Sequence, residues 1–185
     1  MEPFGQFIRV IVKRIWEEGI AIDRETFCTA VELHSDTITR LLLLRCRQME
    51  DAEDCYQSVF LKLLLCQKPF QDQEHVKAWL IRTAINQAAD MNRQTWKKHV
   101  TLQEEIDRAP WLENSGIEQV ELLDLLRGLP EGQREVVYLH YYEGYRVEET
   151  AALLHIRPGT VKSRLSRSRE TLKSMLEETE YAELE

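Results

Sequence analysis

The chain has 185 residues, 30% of them charged, with 7 glycines and 5 prolines; it has room for one globular domain or two small ones, rich in solvated helix. Its formal charge is -8. No apolar run approaches the ~20 residues of a membrane span, the longest, Leu41 to Leu44, being closed by Arg40 and Arg45. Arg9 and Lys13 interrupt the apolar residues of the N-terminus, which excludes a secretory signal and leads us to expect a cytoplasmic protein with no membrane insertion.

Phe4, Phe7, Ile8, Ile11 and Ile15 recur at helical spacing and predict an amphipathic N-terminal helix within residues 1–24. From Glu25 to about Arg47, Phe27, Val31, Ile38, Leu41, Leu42 and Leu44 predict one long helix or two abutting ones. A further helix is expected from Asp51 to Leu65, with Cys55, Val59, Phe60, Leu63 and Leu64 on one side. KPFQDQ at 68–73 reads as a turn. The next helix runs from His75 to about Arg93, with Trp79, Leu80, Thr83, Ala84 and Ala88 as its buried face.

Residues 94–117 show no sustained period and contain Pro110 and Gly116, so they read as a flexible linker. Helix resumes over Glu118 to Arg127, and another starts at Leu129-Pro130, where a proline without N–H is harmless. Gly144 suits the left-handed position that ends it. A short helix over Val147 to Leu154 precedes a last one from Pro158 to about Glu178, followed by the acidic tail 179–185. Strand-like alternation is rare, and the expected fold class is all-α, as two small helical domains, 25–94 and 118–178, joined by the linker 95–117.

No catalytic constellation emerges. Cys28, Cys46, Cys55 and Cys66 lie at no metal-clasp spacing and read as reduced structural thiols. The five histidines are scattered, and phosphate-cradling glycine loops and nucleophile elbows are missing. We expect no enzyme activity, no metal and no cofactor.

The informative segment is RPGTVKSRLSRSR at 157–169. Six bases fall from Arg157 to Lys173, against one acid, Glu170. At about 100° per residue, Val161, Leu165, Leu172 and Leu176 share a stripe. Thr160, Ser163, Ser166 and Arg167 lie opposite, flanked by Lys162 and Arg169 on one side and Arg164 on the other. Short polar side chains and an arginine can approach base edges in a major groove while flanking cations reach phosphates. With VEETAALL before it, the turn HIR between and small Ala151 at the crossing, the pattern is that of a helix-turn-helix.

LPEGQREVVYLHYYEGYRVEETAALLHIRPGTVKSRLSRSRETL closely resembles region 4 of sigma-70 family transcription initiation factors, through Leu129-Pro130, Arg134, Leu139, Gly144, Glu149, Ala151, Leu154 and GTVKSRL. Upstream, DAEDCYQSVFLKLL at 51–64 resembles region 2.2, and WLIRTAINQAADMNRQ at 79–94 resembles regions 2.3 and 2.4. Two such blocks with no large domain between them match the extracytoplasmic function (ECF) group. The resemblance implies a factor that binds core RNA polymerase and directs initiation at promoters carrying −35 and −10 elements. It implies that Asp51, Glu53, Asp54, Gln57 and Phe60 dock on the β′ clamp, and that region 4 meets the β flap. It places Trp79, Arg82, Asn86, Asp90 and Arg93 beside the −10 element, with Lys97 and Lys98 as further phosphate contacts, and Asn86 at a flipped base. Arg157, Thr160, Lys162, Ser163, Arg164, Ser166 and Arg167 fall on the helix that reads the −35 element. Linker acids Glu104, Glu105 and Asp107 would mimic nucleic acid in the polymerase cleft. Promoter DNA and an anti-sigma factor are the other implied partners.

Three positions depart from the family pattern. Arg146 and Arg157 stand where capping hydroxyls are common, and His155 where the turn favours glycine. Two other readings stay open: a stand-alone helix-turn-helix regulator, and an interaction protein that has lost DNA binding.

Overall fold

The structure is a computed structural model that describes residues 22–46, 48–98 and 120–182. The expected N-terminal helix, most of the linker and the end of the acidic tail lie outside these residues. Seven α-helices are described: α1 (Arg24–Arg45), α2 (Met49–Leu64), α3 (Gln73–Lys98), α4 (Val120–Arg127), α5 (Glu131–Val137), α6 (Val147–Leu154) and α7 (Pro158–Ala182). No strand interrupts them among the described residues.

α1 starts where Asp23, in extended backbone, accepts a 2.9 Å hydrogen bond from the Thr26 N–H, satisfying one of the orphan donors of the first turn. Leu41, Leu42, Leu43 and Leu44 are each at most 1% exposed. Four consecutive helical residues point in four directions about 100° apart, so this end of α1 is covered on all sides. α2 and α3 cover part of it. α4 and α5 pack on it as well, and α3 also meets α6.

α2 buries Cys55, Val59 and Leu63, and α3 buries Val76, Leu80, Ile81, Ala84 and Ala88. Trp79 and Thr83, expected on that buried face, are half-exposed at its margin. The Thr83 hydroxyl turns back to donate to the Trp79 carbonyl at 2.8 Å. α3 also runs on through Lys98, so the first residues assigned to the linker are helical.

In the second half, α5 passes into a single π-helical turn, Tyr138–Tyr142, closed by the Glu143 N–H on the Tyr138 carbonyl at 3.0 Å. Gly144 then takes φ 77, the left-handed region that glycine enters without Cβ strain. α6 ends at His155 with φ 54 and ψ 40, as the helix-turn-helix requires. The buried stripe of α7 includes Val161 and Leu165. Ser168 joins it, satisfied by the Gln133 side chain at 3.0 Å and the Arg164 carbonyl at 2.8 Å.

The two helical bundles expected from the sequence are therefore present, but they are not apart. Their buried side chains form one apolar cluster that runs from α1–α3 into α4–α7.

Candidate nucleic-acid interface

The helix-turn-helix is built by small contacts. Ala151 is 3% exposed where α6 approaches α7. The Ile156 N–H donates to the Ala151 carbonyl at 3.0 Å, and the Arg157 carbonyl receives the Thr160 N–H at 2.8 Å and the Val161 N–H at 3.2 Å. Arg146 has no side-chain acceptor to offer α6. Instead the Glu149 carboxylate accepts from the Arg146 N–H at 2.7 Å, one of the two arms of a capping box.

On α7, Arg157, Lys162, Ser163, Ser166 and Arg167 are exposed and Thr160 is half-exposed. The Ser163 hydroxyl donates to the Thr160 carbonyl at 3.0 Å, which leaves its oxygen lone pairs outward as acceptors. Arg164 departs from expectation. It is only partly exposed, and a methyl built on Gly132 would lie 3.0 Å from its Cζ. Its guanidinium is turned onto α5, toward the side of Glu135, rather than outward with the other cations.

α3 carries a second polar face. Arg82, Asn86, Asp90 and Arg93 are all exposed, and at about 100° per residue they fall within one 80° sector, opposite Leu80, Ala84 and Ala88. Trp79 falls in the same sector. Its ring lies edge-on against Phe70 at 5.9 Å and 80°, at the start of the stripe. Arg93 and Asp90 form an ion pair across one turn. The side chains of Lys97 and Lys98 are outside the described residues.

On α2, Glu53, Asp54 and Gln57 are exposed and Asp51 is half-buried, one of its carboxylate oxygens buried without a hydrogen-bond partner among the described residues. Phe60 does not belong to this surface. It is 6% exposed, packed with its ring 4.7 Å from that of Tyr56. Beside the acidic face an open cavity of about 300 Å³ lies between α1 and α2, with Leu42, Leu43, Met49 and Tyr56 among its apolar walls and Glu53 and Gln57 also lining it.

Cys46 and Cys55 are buried neighbours, and burial is the main cause that pushes both thiols up, which suppresses the reactive thiolate. All four cysteines are free. No group of side chains that could hold a metal ion occurs among the described residues, and no described helix is long and apolar enough to cross a membrane.

Sequence reasoning missed the buried charges. Glu135 is 8% exposed and paired with Arg45 of α1, 90 positions away. Nothing in helical periodicity flags such a pair, although a glutamate next to Val136 and Val137 on a short helix was a weak signal.

Comparison with known proteins falls on the same two halves. The Sigma-70 region 2 model matches residues 30–98 and the Sigma-70, region 4 model matches residues 119–172. ECF RNA polymerase sigma factor SigM of Mycobacterium tuberculosis is 32% identical over 162 residues, spanning 85% of this chain and 80% of its own. ECF RNA polymerase sigma factor SigW of Bacillus subtilis is 25% identical over 169 residues, 83% of this chain and 90% of its own. In fold, the chain is similar to the sigma factor RpoE from Bartonella quintana, solved in complex with the anti-sigma factor NepR. The TM-score is 0.65 at 24% identity, over 82% of this chain and 96% of that one. A second likeness, at TM-score 0.56 and 22% identity, is to CnrH in complex with the cytosolic domain of CnrY, over 91% of this chain and 96% of that one.

Proposed function

The chain belongs to the sigma-70 family, as an ECF RNA polymerase sigma factor, and we propose which of its surfaces carry that function. The observation that supports the assignment best is the pair of presented faces, one on each matched region: the α3 stripe and the outer face of α7. Glu53, Asp54 and Gln57, with Asp51 at their edge, form the face offered to the clamp of core RNA polymerase, where an acidic helix meets a basic partner. Trp79, Arg82, Asn86, Asp90 and Arg93 serve the −10 element, the aromatic and amide groups receiving unstacked bases. Arg157, Thr160, Lys162, Ser163, Ser166 and Arg167 serve the −35 element, the small polar groups and Arg167 toward bases and the outer cations toward phosphates.

In this reading residues 25–98 work as region 2, residues 120–178 as region 4, and the segment between them as the connection. The protein acts in the cytoplasm, where polymerase and promoter are, and without a catalytic step of its own. The sigma factor RpoE named above was solved bound to the anti-sigma factor NepR, and an equivalent partner for this chain is part of the proposal. A stand-alone regulator would leave the match over residues 30–98 without a purpose and is not favoured.

The test is transcription by core RNA polymerase from a library of randomised −35 and −10 elements, with and without the purified protein. Start sites that require the protein establish the function and reveal its promoter. Duplex binding by the protein alone, with no binding to polymerase, would refute it.

A further inference from the structure

α7 packs against two helices, α5 and α6. Val161 and Leu165 anchor its apolar stripe, but apolar burial is non-directional and sets the rotation of a helix about its own axis only loosely. That rotation matters on a reading helix. At about 5–6 Å from the axis, a turn of about 10° moves a side-chain tip by about 1 Å, enough to break a hydrogen bond to a base edge.

A second flank of α7 supplies the missing constraint. Arg164, Ser168 and Met175 fall within a sector of about 40°. Ser168 is fully buried, its hydroxyl 3.0 Å from Gln133 Oε1 of α5. A methyl built on Gly132 would lie 3.0 Å from Arg164 Cζ, 3.1 Å from Nη2 and 3.4 Å from Nη1. Three near-equal distances mean that the guanidinium lies broadside over the glycine, in the space a Cβ would take. Glu135, on the same helix as Gly132, attracts it. Met175 uses Gly128 in the same way, where a methyl would lie 2.8 Å from its Cε. Neither glycine takes positive φ, so what they provide is room for close approach rather than a left-handed turn.

We propose that Arg164 is a positioning residue for −35 recognition. Its guanidinium, seated flat on Gly132 beside the Ser168–Gln133 hydrogen bond, fixes the rotation of α7 so that Lys162, Ser163, Ser166 and Arg167 meet the duplex in register, and it makes no phosphate contact of its own. This role rests on the reading of α7 as the −35 helix; the seating of Arg164 does not.

The experiment uses the full chain with core RNA polymerase. Wild type is compared with Arg164→Lys, Arg164→Gln, Gly132→Ala, the Gly132→Ala/Arg164→Gln double and, as a phosphate-contact control, Lys162→Gln. Each is run on the randomised promoter library, then across a salt titration on the template that wild type uses best, with circular dichroism and Tm to confirm the fold. Gly132→Ala leaves every DNA-facing group in place, yet should lower −35-dependent initiation roughly tenfold, the effect of losing one base contact. Arg164→Gln should match it, and the double should be no worse than either. Arg164→Lys keeps a cation able to reach a phosphate but loses the flat fork, and should fail as well. The salt dependence of Arg164→Gln should stay that of wild type, while that of Lys162→Gln flattens.

Wild-type initiation by Arg164→Lys, or a salt slope of Arg164→Gln as flat as that of Lys162→Gln, would make Arg164 a phosphate contact and overturn its positioning role. A lowered Tm with −35 preference unchanged, the mark of a merely structural residue, would overturn it too. A wild type that initiates without any −35 preference sinks the reading of α7 itself and the role with it. A −35 preference kept by wild type and by every Arg164 and Gly132 variant sinks the role alone.

Discussion

Removing one member of the Arg45–Glu135 pair should be far more damaging than removing both. The two side chains are 14% and 10% exposed, dry enough that a surviving partner is left as an uncompensated charge. A deletion of that kind costs about 3–5 kcal/mol, whereas apolar replacement of a whole buried pair is often neutral or better. At about 2–4 °C per kcal/mol for a chain of this size, Arg45→Met or Glu135→Leu should each lower Tm by roughly 6–20 °C. The double variant should recover to within about 1 kcal/mol of wild type. Urea unfolding with calorimetry on the four proteins forms the cycle. Single losses under about 1 kcal/mol would mean that the pair behaves like an exposed surface bridge, and the reasoning from burial would fall.

The same pair makes a pH prediction. Burial raises the Glu135 carboxyl above its ordinary 4.5, Glu131 acts in the same direction, and Arg45 and Arg164 oppose it. Burial therefore outweighs attraction, which is why an apolar pair is expected to serve as well. A raised acid means that the folded protein holds this proton more tightly than the unfolded chain. Wild type should gain stability relative to Glu135→Gln as pH falls through the raised value toward 4.5, with no further gain below. A difference that is flat across that window would contradict the assignment of the shift to folding.

Arg146→Ser should raise stability by up to about 1 kcal/mol, because a hydroxyl can accept from the free N–H groups of α6 while Glu149 keeps its own arm; an unchanged or lower Tm would refute it. Asp23→Ala should cost about 1 kcal/mol or less at neutral pH, the cap being exposed. Hydrogen bonds from Thr26 hold the Asp23 carboxyl below its usual range, so this contribution should vanish as pH falls through that lowered value; acid titration of the variant against wild type measures it. Arg167→Ala should weaken −35 recognition by about 1–3 kcal/mol and leave polymerase affinity intact, read by transcription against polymerase pull-down. The full-length protein alone should bind promoter duplex weakly at physiological salt, since its net charge of -8 opposes DNA except at α7; tight binding in an anisotropy titration would sink that reading of the charge.

Local features were legible where they depend on near neighbours. The bounds of α6, Val147–Leu154, the left-handed His155 and Gly144, and the Val161–Leu165 stripe all follow from periodicity and turn chemistry within a few residues. Phe60 and Arg164 are more covered than a helical wheel places them, for the same reason that Glu135 was missed. A helical wheel assigns a direction to a side chain but does not say whether another helix stands there. Gly132 leaves room for the Arg164 guanidinium to fold onto α5, and Tyr56 meets Phe60 on the buried side of α2. Neither contact has a signature in local pattern.

One long-range signal was present and went unread. Leu41 to Leu44 leave no direction of α1 polar for more than a full turn, and a helix that is apolar all round is a buried helix. Two partner helices of a small three-helix domain cannot surround it. The run therefore implied a second body against α1, which the structure supplies as α4 and α5. Arg40 and Arg45 at its two ends, read from sequence as mere boundaries of an apolar run, are the residues that reach across to Tyr142 and Glu135. The charges that close the leucine run also close the protein. Separating α4 and α5 from α1 would leave Arg45 and Glu135 without each other and uncover part of the leucine face.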